Sequence, residues 1–134
     1  MEDLDRFVRA QADHYDTALA ELRAGHKRSH WMWYVFPQIA GLGQSAMAQH
    51  YAIRDLAEAR AYLTHPLLGP RYLACVNAVL AHRDIAADRI LGEVDAMKLR
   101  SSLTLFDRAG APPEVAKALA AFFGTPDPAT LARL

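Results

Sequence analysis

Two segments of this chain gather the side chains that do chemistry. The first, Lys27-Arg28-Ser29-His30-Trp31-Met32-Trp33-Tyr34-Val35-Phe36-Pro37-Gln38, holds two cations, a histidine, two tryptophans and a terminal amide in one stretch. Lys27, Arg28 and His30 suit an anionic group, Trp31 and Trp33 suit a flat ring, and Gln38 can hydrogen-bond a ligand edge. The same aromatics can equally fill a core. The second segment is Asp95-Ala96-Met97-Lys98-Leu99-Arg100-Ser101-Ser102-Leu103-Thr104-Leu105-Phe106. At about 100° per residue, Asp95, Lys98 and Ser102 share a stripe beside the apolar face of Leu99, Leu103 and Phe106. A half-buried carboxylate next to a lysine has to be charge-paired, and such a pair serves as an acid–base centre or simply pins the helix. Arg100 and Thr104, spaced i, i+4, read as a separate solvated edge, and Ser101 adds a further hydroxyl.

Other chemistries find less support. His26 and His30 have a helical zinc-binding spacing, but Gly25 interrupts any helix there and no cysteine pair or His-Glu partner completes a set, so no metal is expected. The turn Gly41-Leu42-Gly43-Gln44-Ser45 matches neither a P-loop nor a dinucleotide fingerprint, no G-x-S-x-G elbow exists, and no cofactor is implied. The single cysteine, Cys75, lies in the apolar run Leu73-Ala74-Cys75-Val76 and reads as a buried small hydrophobe in a reducing, cytoplasmic setting. Fifteen Lys plus Arg balance fifteen Asp plus Glu, leaving no global field to attract nucleic acid or acidic lipid. No secretory leader pattern is visible, and no run approaches about 18 apolar residues, so export and membrane insertion are not expected.

The elements that must position these residues are helical. Leu4, Phe7, Val8, Ala12, Tyr15, Leu19 and Leu22 recur at helical spacing up to Gly25, as one helix or two with a break near Asp13. Trp31–Phe36 is apolar at almost every position, so periodicity leaves a buried strand and a buried helix both open until Pro37 ends it. Ser45 caps a short helix toward Tyr51, and Asp55 with Glu58 starts a helix carrying Leu56, Ala59 and Leu63. A helix from about Pro70 to His82 turns Tyr72, Val76, Val79 and Leu80 inward, and Gly92 ends a short turn around Ile90-Leu91. The second chemical segment forms the next helix, Val115, Leu119 and Phe122 mark another before Gly124, and Asp127-Pro128 starts a last turn that brings Leu131 and Leu134 to the body. The 134 residues thus predict a single mainly α domain of six or seven short helices, with a small strand element near Trp31–Phe36 as the alternative.

The run Ser29 to Gln38, then Gly41-Leu42-Gly43, Ser45, Tyr51-Ala52-Ile53, Glu58-Ala59 to Tyr62-Leu63, His65-Pro66-Leu67-Leu68-Gly69 and Asp95 to Phe106 together resemble the bacterial domain-of-unknown-function 1810 family across nearly the whole chain. Members have sometimes been labelled calpastatin, which these residues give no reason to believe. The resemblance implies a mainly helical fold and no established activity. A looser similarity in layout links the chain to NADAR-type domains, which are tied to ADP-ribose and N-glycoside chemistry; no catalytic residue aligns.

Two readings follow. In one, the chain binds or hydrolyses a phosphorylated, ring-bearing metabolite of nucleotide or ADP-ribose type. Lys27, Arg28, His30, Arg100, Ser101, Ser102 and Thr104 hold the polar parts, a tryptophan stacks the base, Gln38 assists, and Asp95, oriented by Lys98, supplies general acid–base help. In the other, the same residues form a structural network and the aromatics make a core or a homodimer face.

Overall fold

The sequence signals that end helices are obeyed closely. In the computed structural model, which describes residues 3–134, α1 (Asp5–Ala12) and α2 (Tyr15–Ala24) are separated at Asp13-His14, and α2 stops at Gly25, whose φ of 75° is the left-handed conformation that glycine adopts without strain. The Trp31–Phe36 ambiguity resolves as one helical turn, α3 (Met32–Val35), not a strand. Ser45 caps α4 (Ala46–His50) by accepting from Ala48 N, and Asp55 caps α5 (Leu56–Thr64) by accepting from Glu58 N. The chain continues through α6 (Leu68–Leu80), α7 (Ala87–Leu91), α8 (Glu93–Arg108), α9 (Pro113–Phe123) and α10 (Pro128–Leu131). Ten helices are therefore present among the described residues where six or seven are expected; α3, α4, α7 and α10 are too short for apolar periodicity to register. No strand forms at Trp31–Phe36; one isolated parallel bridge, Ile39 to Ile53, lies outside that segment.

The middle of α8 is the axis of the fold. Every residue from Ser101 to Phe106 is buried, as expected of a helix covered on all sides, and α5, α7, α9 and α10 pack around it. Tyr62 of α5 and Tyr72 of α6 pack at a tilt against Phe106, with ring centroids 5.2 and 4.4 Å away. Phe36 reaches Tyr72 at 5.7 Å and Trp31 reaches Phe36 at 6.3 Å, so the aromatic run enters the same continuous cluster. Buried polar groups are paired. Gln11 donates to Tyr34 O and to the Tyr62 hydroxyl, and Glu58, 1% exposed, meets Arg6 at 3.1 Å. Leu134 departs from expectation: it is 41% exposed rather than turned onto the body. Among the described residues no helix is long and apolar enough to cross a membrane.

Candidate functional site

Where α8 leaves the core, its first turns border a cleft of about 330 Å³. One wall is the chain after Pro37. Backbone bonds from Ile53 N to Gln38 O and from Ala40 N to Ile53 O, both 2.8 Å, fix Gln38 at the edge of that wall. Leu42 and Gly43 continue it, and Gly43 lies so close to Ala48 that a β-carbon there would collide with the Ala48 methyl. The floor is the α8 face of Val94, Met97, Lys98 and Ser101, with Arg100 at the side. The far wall is Asp127 and Ala129, where the C-terminal segment crosses α8.

That crossing is fastened by the polar residues of α8. Arg100 donates to Thr125 O, Thr125 Oγ1 and Pro126 O at 2.8–3.1 Å. Thr104 accepts from Asp127 N at 2.9 Å while donating to Arg100 O at 2.8 Å. Asp127 Oδ2 accepts from Ser101 Oγ at 3.0 Å and from Thr130 N and Oγ1 at 3.1 and 2.6 Å. Burial alone would raise the Asp127 pKa, but the hydrogen bonds from Thr130 and Ser101, helped by the Arg100 charge, lower it. The expected solvated edge of Arg100 and Thr104 is thus corrected: Thr104 is 1% exposed beneath the segment, and Arg100 is only partly exposed.

The other end of the cleft is cationic. Asp95 sits between two lysines, with Lys27 Nζ at 2.9 Å and Lys98 Nζ at 4.0 Å, so Lys27 rather than Lys98 is its close partner. Lys98 Nζ also lies 5.2 Å from the Trp33 ring centre, and Lys27 Nζ lies 4.9 Å from that of Trp31 and donates to Ser29 O. Two ammonium groups and one carboxylate leave this corner with a surplus positive charge. The Lys27 side chain is nearly buried, so of the two lysines it is Lys98 that lines the cleft, together with Arg100.

Of the residues singled out from sequence, the fold brings Gln38, Lys98, Arg100 and Ser101 to one cleft, with Asp95 and Trp33 behind Lys98. Trp31 is 1% exposed and belongs to the core, its Nε1–H donated to Glu21. Ser102, fully buried, pairs with the Tyr72 hydroxyl at 2.9 Å. Arg28 and His30 are exposed and do not line the cleft. His26 and His30 lie beyond the end of α2, outside any helix, and among the described residues no group of three His, Cys, Asp or Glu is placed to hold a metal. Cys75 is fully buried, and burial pushes its thiol up to about 12.

Sequence reasoning missed Val94 and Met97, which are 68% and 72% exposed. Their signal was present: both are apolar positions on α8 that fall off the Leu99-Leu103-Phe106 stripe. It also missed Glu21. This carboxylate accepts from Arg28 N, Ser29 N, Ser29 Oγ and Trp31 Nε1 at 2.6–3.0 Å and so ties down the loop that carries Lys27. Burial works to raise its pKa, but those four donors outweigh it and bring it to about 2.

The sequence model of a family described as "Protein of unknown function (DUF1810)" matches residues 1–134. The crystal structure of the conserved hypothetical protein Rv1873 from Mycobacterium tuberculosis is similar, with a TM-score of 0.96 and 48% identity over 98% of this chain and 96% of that one. No curated protein matches.

Proposed function

The chain belongs to the DUF1810 family, a membership that carries no activity with it, and from the cleft itself we propose that the protein binds a small ring-bearing metabolite with an anionic group, of nucleotide or ADP-ribose type. The observation that carries this reading is one cleft of about 330 Å³ that combines apolar side chains with a cation at its edge. That size is at the lower end of small-molecule pockets. Leu42, Val94 and Met97 supply surface for a flat body, and the Lys98 ammonium, whose nearest carboxylate is 4.0 Å away, supplies charge for a phosphate. Asp95 and Lys27 act behind Lys98 and orient it. Because the Asp95 carboxylate does not line the cleft, binding is the conclusion, and hydrolysis is the extension in which Asp95 takes the acid–base role.

The test is thermal unfolding against nucleoside monophosphates, ADP-ribose and ribose 5-phosphate. A ligand at about 100 times its dissociation constant adds about 2.7 kcal/mol to stability. Lys98→Ala should weaken binding of the phosphorylated compounds about tenfold or more while leaving the fold intact. Absence of any shift across the panel would reject the reading.

One observation favours a second reading, an interaction domain with a homodimer or partner face: Val94 and Met97 are the most exposed large apolar side chains of the described residues and are neighbours on one helix face. In that case Val94→Asp combined with Met97→Lys should change the mass measured by light scattering at high concentration. A mass of one chain for both proteins would exclude self-association.

A further inference from the structure

The hydrogen-bonding capacity of the cleft is unevenly spent, and what remains defines what a ligand must offer. Ser101 is engaged with Met97 O and Asp127, Arg100 has committed Nε and Nη2 to Thr125 and Pro126 and keeps Nη1, and Asp127 Oδ2 already accepts three donors while Oδ1 accepts none from the described residues. The Gln38 carboxamide is different. Its backbone carbonyl is held by Ile53 N, next to the Ile39–Ile53 bridge, yet Gln38 lines the cleft and its side chain makes no hydrogen bond to any described residue. A carboxamide presents one acceptor and two donors in a fixed plane, and it pairs bidentately with an edge that offers an N–H next to an acceptor. It stands in the same cleft as the Lys98 cation and the apolar Leu42 and Met97.

We propose that Gln38 is the specificity-determining residue of this cleft and reads the amino-heterocycle edge of the ligand's base, an exocyclic amine beside a ring nitrogen, while Lys98 holds the phosphate. The proposal rests on the metabolite-binding reading of the same cleft and adds the class of ring that it selects. Other candidate places carry less. The apolar hollow between Leu63, Leu73 and Val115 has nothing against it to identify an occupant, and the Arg6–Glu58 cluster is a satisfied ion pair.

The experiment measures calorimetric binding of three probes to the full chain: adenosine 5′-monophosphate, purine riboside 5′-monophosphate, which keeps the ring nitrogens but lacks the amine, and ribose 5-phosphate. Wild-type protein should prefer the adenosine compound over the other two by about tenfold to a hundredfold, the discrimination that one bidentate pair supplies. Gln38→Leu should remove that preference by weakening the adenosine compound more than purine riboside 5′-monophosphate, which loses only the bond to its ring nitrogen, and Gln38→Glu, which loses the amide donors, should also weaken the adenosine compound. The Gln38 side chain holds nothing in place, so both variants should melt with the wild-type protein, which separates lost recognition from lost folding. A preference that survives Gln38→Leu overturns the assignment of Gln38 and leaves the cleft reading standing, whereas ribose 5-phosphate binding as tightly as the adenosine compound overturns both, because the base then contributes nothing. Failure of all three probes to bind the wild-type protein at millimolar concentration overturns both.

Discussion

At the residue scale, the carboxylate that matters most for placing the site is one that never touches it. Glu21 gathers Arg28 N, Ser29 N, Ser29 Oγ and the Trp31 indole, and through them it sets the path of the chain just after Lys27, whose ammonium pairs with Asp95. Hydrogen bonds to a charged acceptor contribute about 1.5–3 kcal/mol each net of exchange with water, and less at a half-exposed site where solvent screens the charge. Glu21→Gln replaces an acceptor of four donors by a group with one acceptor oxygen, and a fall of several degrees in melting temperature is expected. The pH dependence distinguishes this from loss of packing. The carboxyl titrates near 2 in the folded chain against an ordinary 4.5, so its stabilisation is fully present above about 4.5 and is lost as the pH falls toward 2. The melting-temperature gap between wild type and Glu21→Gln should therefore be widest at pH 6 and close on going to pH 2. A gap that stays constant over that range would mean that the charge of Glu21 contributes nothing.

At the element scale, the C-terminal segment forms one wall of the cleft because α8 presents hydroxyls and a guanidinium to it rather than apolar side chains. Thr104→Val keeps the shape but removes the acceptor for Asp127 N. The amides of Asp127 and Ala129–Leu131 should then exchange with solvent about tenfold faster while those of the Leu99–Phe106 stretch keep their protection, as measured by hydrogen exchange with mass spectrometry. Equal acceleration in both places would show that the segment opens only with the whole fold. The same crossing explains what was legible in the sequence. Gly25, Ser45, Asp55 with Glu58, and Asp127 with Pro128 mark real helix ends because capping is local chemistry that a few neighbouring residues determine. Periodicity correctly put Leu99, Leu103 and Phe106 inside, but it could not foresee that the C-terminal segment would cover Thr104, which read as solvated, or that Tyr72 of α6 would bury Ser102, which read as a site residue. Gln38, Lys98, Arg100 and Ser101 were visible as polar residues near apolar runs, whereas Trp31 was not assignable because an all-apolar stretch has no side that marks the core.

At the scale of the whole molecule, helices contributed by both ends of the chain share one hydrophobic cluster, and Cys75 of α6 lies inside it, fully buried and remote from the residues that line the cleft. A thiol whose pKa burial has pushed to about 12 reacts with a disulfide reagent at pH 8 only when that burial is undone. If the cluster opens only as a unit, labelling of Cys75 reports the unfolded fraction. For a domain of ordinary stability it should then run at least about a thousandfold slower than in the denatured chain. This gives the cleft a readout that assumes no chemistry. Adenosine 5′-monophosphate at about 100 times its dissociation constant multiplies the folded population by about that factor, so labelling should slow about 100-fold, and Lys98→Ala, with a dissociation constant about tenfold higher, should cut that slowing to about tenfold or less at the same ligand concentration. Rapid labelling indifferent to ligand would show instead that α6 opens locally, and the helices around it would have to be treated as units of separate stability.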